Sequence, residues 1–243
     1  MDIRQATALV TGSNRGLGRA LVDALLEAGV RKLYATARDP SALDALVRAY
    51  PQGKVETFAL DITDAAQVAR AVEHARDVNL LVNNAGINRH QGFVSAASMA
   101  DAQAEMTTNY FGTMAMCRAF APRLADGAIV NVLSILAKVA LPAMGSLCAS
   151  KAAGLRMTES VRAELAGQGT HVLAVMTGAI DTDMERDFQG PKSPPADVAQ
   201  AALAALERGD EEVYHGDMPA WINGALLQDA KGLERELGKY LPG

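Results

Sequence analysis

A chain of 243 residues is long enough for one large domain or two small ones. Its 49% hydrophobic and 21% charged residues are those of a folded globular protein and exclude disorder and low complexity. With 23 basic against 28 acidic side chains, the net charge of -5 speaks against nonspecific nucleic-acid binding.

No apolar run approaches membrane-spanning length. The chain opens on ordered pattern rather than a cleavable signal, so a cytoplasmic location with no membrane partner is expected. Two cysteines, Cys117 and Cys148, are too few for a disulfide scaffold or a cysteine-based zinc site.

Short β-rich runs alternate with helical patterns along the chain. Strands are expected at Ala6–Val10, Lys32–Ala37, Val55–Leu60, Leu80–Asn83, Ala128–Leu133, His171–Met176 and Glu212–Tyr214. Several are nearly continuous apolar runs, such as Val172-Leu173-Ala174-Val175, which suits strands covered on both faces of a parallel sheet. Helices are expected at Gly18–Ala28, Ser41–Tyr50, Ala65–Ala75, Asp101–Leu124, Cys148–Gly167 and Ala196–Arg208. This alternation predicts an α/β fold: a single Rossmann-type domain with a doubly wound, parallel, seven-stranded sheet flanked by helices. No linker divides the chain. The stretch Gly190-Pro191-Lys192-Ser193-Pro194-Pro195 reads as part of a mobile loop over residues 181–196, beside a site. The tail after Trp221 reads either as an exposed helix or as an oligomer contact.

After the first strand comes Thr11-Gly12-Ser13-Asn14-Arg15-Gly16-Leu17-Gly18, and a helix follows directly. Glycines at a strand–helix junction allow a tight turn and let the backbone approach a pyrophosphate at the helix N-terminus. The second strand ends Thr36-Ala37-Arg38-Asp39, with a cation where an NAD site offers an acid to the ribose. Arg15 is a second cation within reach, so the expected cofactor is NADP(H). Asp39-Pro40 reads as a helix N-cap followed by proline at the first helical position.

Further motifs follow in order: Asp61 with Ile62 after the third strand, Asn83-Asn84-Ala85-Gly86 ending the fourth, and Thr108-Asn109-Tyr110 in a helix. Ser134 then ends the fifth strand, ahead of Ala149-Ser150-Lys151-Ala152-Ala153. Together with the glycine turn, these resemble the short-chain dehydrogenase/reductase family over nearly the whole chain. The resemblance implies a carbonyl reductase or alcohol dehydrogenase acting by hydride transfer with NADP(H). It implies cofactor contacts from the glycine turn, Arg38, Asp61, Ile62, Asn83, Ala85, Gly86 and Lys151, and from Gly178, Ile180 and Thr182 after the sixth strand. Ser134 would hydrogen-bond the substrate oxygen, Lys151 would hold the nicotinamide ribose, and Asn109 would anchor a water. A homodimer or homotetramer is also implied.

The family's catalytic tyrosine stands four residues before the lysine, and here that position is Leu147. A leucine has neither a proton to give nor a lone pair. Tyr50-Pro51-Gln52-Gly53-Lys54 spells the same spacing, but it lies between the second helix and third strand, away from any carbonyl. The expectation is therefore a reductase scaffold with reduced or redirected activity. The alternative is a non-catalytic NADP(H)-binding regulatory protein. Leu136, Met144, Leu147 and Met184 are expected to line an apolar pocket for a small hydrophobic carbonyl or alcohol. His74, His90, His171 and His215 have no metal-ligand spacing, and no metal is expected.

Overall fold

The apolar runs pair side by side as parallel strands, because each is buried on both faces and has no polar side to offer water. A computed structural model describes residues 1–242. Its seven strands are β1 (Thr7–Thr11), β2 (Lys32–Ala37), β3 (Val55–Ala59), β4 (Leu80–Asn83), β5 (Ala128–Val132), β6 (His171–Thr177) and β7 (Glu212–His215). They form one parallel sheet in the order β3-β2-β1-β4-β5-β6-β7. The domain is a Rossmann-like α/β fold with helices on both faces.

Strand alternation divides the core in two. Ala8 and Val10 of β1 pack with Leu21 and Leu25 of α1 (Gly16–Glu27) and with Val198 and Ala202 of α7 (Pro195–Arg208). Leu9, between them in sequence, faces the opposite layer. There it joins Val68 of α3 (Ala65–His74) and Met116 and Phe120 of α5 (Thr113–Phe120). Burying a side chain of Leu or Phe size contributes about 1.5–3 kcal/mol, so these two layers hold the sheet between them.

Several helices differ from their sequence limits. Residues 40–50 begin as a 3-10 turn, Pro40–Leu43, with Asp39 accepting from Ser41 N, before α2 (Asp44–Ala49). The long helix expected over Asp101–Leu124 is four pieces: α4 (Ala100–Glu105), a π-helical turn (Met106–Gly112), α5 and a 3-10 turn (Ala121–Arg123). A π turn takes in an extra residue, which the apolar period does not reveal. The helix expected from Cys148 starts earlier, as α6 (Gly145–Leu165). The tail forms a further helix, α8 (Asp217–Leu237), kinked where Asp229 leaves helical geometry. Its Ile222, Leu233 and Leu237 are buried against Ile135. Among the described residues no helix is long and apolar enough to cross a membrane.

The strand order reverses between β1 and β4, and at such a switch point the connections leave in opposite directions. A crevice therefore opens at the carboxyl ends of these strands.

Candidate active site

That crevice is a cleft of about 580 Å³. Its floor is the turn between β1 and α1. Gly12 and Gly16 take positive φ, +67° and +55°, which side chains resist. At Gly18 a Cβ would lie 2.0 Å from the Gly12 carbonyl oxygen, so only glycine lets the turn close. Arg15, at the N-cap of α1, makes no side-chain cap bond, so the first N–H groups of the helix lack the usual side-chain acceptor. Gly16, Leu17 and Gly18 line the cleft at this point. Uncapped donors at a helix start, beside a backbone without side chains, fit the pyrophosphate of a dinucleotide.

Of the other residues expected at a cofactor, Gly12, Asn14, Arg15, Arg38, Asp61, Ile62, Ala85, Gly86, Lys151, Gly178, Ile180 and Thr182 line the cleft. Two do not. Ser13 is fully buried, donates to Val10 O at 2.8 Å and accepts from Thr36 N at 3.2 Å, so its hydroxyl ties the turn to the strands below. Asn83 points into the sheet and donates to Asn131 Oδ1 at 2.9 Å. Asn84, its neighbour on the opposite strand face, lines the cleft instead and donates to Thr11 O and Gly12 O at 2.9 and 3.2 Å. Asp61 accepts from Thr63 N and Oγ1 at 2.9 and 2.7 Å, which fixes the loop after β3.

At the other end stand the residues assigned to chemistry. Asn109 lies in the π turn behind the cleft wall. It accepts from Ile87 N at 2.9 Å and donates to Ile87 O and Ser150 Oγ, both at 3.0 Å. Ser150 in turn donates to Leu147 O at 2.9 Å, so Asn109 fixes both the loop beyond Gly86 and the first turns of α6. Lys151 lines the cleft and donates to Val132 O at 3.0 Å. Burial pushes its ammonium down to about 8, against an opposing pull from the Glu105 carboxylate. A Cβ on Gly86 would lie 3.8 Å from Lys151 Nζ and 3.2 Å from Asn109 Oδ1, so this glycine leaves room for both.

Ser134 lines the cleft, donating to Thr177 O at 3.3 Å and accepting from Leu136 N at 3.2 Å. Leu147 is nearly buried and also lines it. No tyrosine does so among the described residues. Tyr110 packs into the core beside Phe111, and Lys54 donates to Val30 O at the amino-terminal end of the sheet, opposite the cleft. The Thr177 hydroxyl, next to Ser134, is directed to Leu133 O.

Of the expected substrate residues, Leu147 and Met184 line the cleft, whereas Leu136 and Met144 do not. Met144 lines a smaller neighbouring pocket with His90, Gln91 and Pro242. Leu136 follows Ser134 into a 3-10 turn that leads away from the cleft. Arg89 and Glu185 line the mouth instead, making it more polar than the sequence implied. Of the 181–196 segment, residues 183–185 line the cleft and are tied to residues 15, 88 and 90. Asn88 donates to Glu185 at 3.1 Å, a ring nitrogen of His90 lies 3.0 Å from Met184 O, and Arg15 pairs with Asp183 at 3.2 Å.

Glu105 was not among the sequence candidates. It ends α4, is fully buried, and accepts from Arg89 N at 2.6 Å with one oxygen. A charge on an apparently solvated helix carries no sequence signal of burial.

Residues 6–192 match the short chain dehydrogenase family. A short chain dehydrogenase from Burkholderia cenocepacia J2315, solved in complex with NADP, is 49% identical; the match covers 98% of this chain and 99% of that one, with a TM-score of 0.92. An NADPH-bound short chain oxidoreductase from Pseudomonas aeruginosa PAO1, described as containing an atypical catalytic center, is 30% identical over 88% of this chain and 97% of that one, with a TM-score of 0.77. The 2-(R)-hydroxypropyl-CoM dehydrogenase of Xanthobacter autotrophicus is 31% identical, over 90% of this chain and 95% of its own length. A glycine-floored cleft at the sheet's switch point, Ser134 and Lys151 at its far end and a family match over three quarters of the residues agree: the chain belongs to the short chain dehydrogenase family.

Proposed function

We propose that this protein is an NADP(H)-dependent reductase of ketones or aldehydes in which Lys151 supplies the proton that a phenol gives elsewhere in the family. The observation that carries this reading is the pairing of Leu147 with Lys151 in one cleft. Leu147 cannot protonate an alkoxide, while Lys151 beside it is a cleft-lining ammonium with its pKa brought down to about 8. An acid that titrates near neutral pH is well matched to proton transfer.

Reduced nicotinamide, when bound, supplies two electrons as hydride to the carbonyl carbon. The protein does the rest. The β1–α1 turn would hold the phosphates on backbone N–H groups, and Arg15 and Arg38 would receive the 2′-phosphate of the adenosine ribose. Ser134 donates to the carbonyl oxygen, which draws charge there as the π bond breaks. Lys151 gives one proton to that oxygen, completing the alcohol, and its neutral amine takes up a proton again from water entering the cleft. Leu147 keeps the reacting face apolar. Without a phenol the rate falls by about 10²–10⁴, the usual worth of a positioned acid.

Support for NADP(H) comes from the two arginines in the cleft and from the NADP and NADPH found in the Burkholderia and Pseudomonas proteins. A second reading, a non-catalytic NADP(H)-binding protein, is favoured by Leu147 alone. The deciding experiment assays NADPH oxidation against a panel of aromatic and aliphatic ketones, with Leu147→Tyr and Lys151→Met alongside the unmutated protein. Slow turnover that Leu147→Tyr raises and Lys151→Met abolishes supports the reductase. Tight NADPH binding with no turnover in the unmutated protein or in Leu147→Tyr supports the binding protein.

A further inference from the structure

Glu105 is the one fully buried acidic side chain among the described residues. Oε1 accepts from Arg89 N, and Oε2 is buried with no hydrogen-bond partner. A buried, half-satisfied carboxylate costs several kcal/mol unless a cation compensates it. Its place in the fold supplies the cation. Glu105 closes α4, which packs on α6, the helix of Lys151. It stands four residues before Asn109, whose amide bonds Ser150, the residue next to Lys151. The same carboxylate acts on the Lys151 ammonium and on the Cys148 thiol, both on α6.

We propose that Glu105 is a positioning residue for proton transfer: the buried counter-charge that keeps Lys151 an ammonium in a site that has lost its phenol. This rests on the reading of Lys151 as the proton donor. Cys148 lies on its own helix, Arg89, Asp183 and Glu185 line the cleft with it, and Arg15, Arg38, Asp39 and Asp61 line the same cleft. The Glu105 carboxylate opposes the lowering of Lys151 by burial. In a site with a phenol, the lysine need only remain a cation. Here it must also release its proton and regain it in each turnover, and a neighbouring carboxylate favours the return of the ammonium after each release.

The test is direct titration of Lys151 by NMR, using protein labelled with 13C at lysine Cε and assigned through Lys151→Met. In the unmutated protein the midpoint is expected near 8. Glu105→Gln is expected to lower it by about 0.5–1 pH unit, and Glu105→Asp to restore most of the difference. An unchanged or raised midpoint in folded Glu105→Gln overturns the proposal. If Glu105→Gln does not fold, the carboxyl carbon of Glu105 in unmutated protein decides. It must shift at the Lys151 midpoint, and a flat response there overturns the proposal. Ketone reduction is read separately. Turnover whose alkaline limb moves with the NMR midpoint supports both readings. A moved midpoint in a protein that reduces no ketone at any pH supports the role of Glu105 and overturns that of Lys151 as donor.

Discussion

Arg15 and Asp183 form an ion pair at 3.2 Å that joins the glycine turn to the segment lying over the cleft mouth. Asp183 also pairs with Arg186 at 2.7 Å, and these two guanidinium groups hold its carboxyl below the usual range. Arg15 is thus shared between a carboxylate on the covering segment and the 2′-phosphate proposed for it. Replacement of Asp183 by Asn is expected to free Arg15 and tighten NADPH binding about 2–5-fold at low salt, with the gain fading in high salt. Fluorescence titration at two ionic strengths reads this. Equal affinities at both would show that Arg15 is not shared.

If the proposed roles of Arg15 and Arg38 hold, the two arginines set a cofactor preference. NADPH is expected to bind more than about tenfold tighter than NADH, since a charge-assisted phosphate contact contributes more than about 1.4 kcal/mol. The double variant Arg15→Ala, Arg38→Ala should remove most of the difference while leaving NADH affinity nearly as it was. Competitive titration of both nucleotides checks it.

Gly18→Ala places a Cβ 2.0 Å from a backbone oxygen, and no side-chain rotation relieves that. A destabilisation of about 1–3 kcal/mol is expected from overpacking, with loss of dinucleotide binding because the turn must open. Urea unfolding and nucleotide fluorescence measure the two effects. Gly53→Ala is a control for stability alone: unlike Gly18 it has positive φ, but its added Cβ meets nothing within 4 Å and it does not line the cleft.

The lysine makes two pH predictions of opposite sense. Reduction needs the ammonium, so the rate should be level below neutrality and fall about tenfold per pH unit above 8. Stability runs the other way. The folded midpoint is about 8 against an ordinary value of 10.5. Between these the unfolded chain holds more protons, so the contribution of this group to stability rises with pH across that window. Urea midpoints compared with those of Lys151→Met at pH 7, 8.5 and 10 test this: the gap should shift in favour of the unmutated protein as pH increases.

Much of this was legible before the fold was seen. The β6 run Val172–Met176 is apolar without interruption and β1 and β5 are nearly so, and a strand covered on both sides has no other option. Asp39-Pro40 announced its helix start by its own chemistry. Other features left no mark. Asn83 and Asn84 are the same residue type side by side, and only strand alternation decides that the second reaches the cleft. Ser13 sits inside a recognisable motif, but its hydroxyl turned inward to bond Val10 and Thr36, a tertiary choice. Leu136 and Met144 are apolar residues expected in the substrate pocket, and the turns at 135–137 and 142–144 carry them elsewhere. Glu105 reads as a surface charge until α6 is packed over it.

The π turn at Met106–Gly112 has a consequence for how this protein tolerates change. The turn spends seven residues where ordinary winding would spend about six. Deleting one of them lets the coil close to an α-helix with Met116, Cys117 and Phe120 still facing the sheet. What is lost is the widening that aims Asn109 at Ile87 and Ser150. A second deletion has no such slack and rotates everything after it by about 100°, so the first should cost the site and the second the fold.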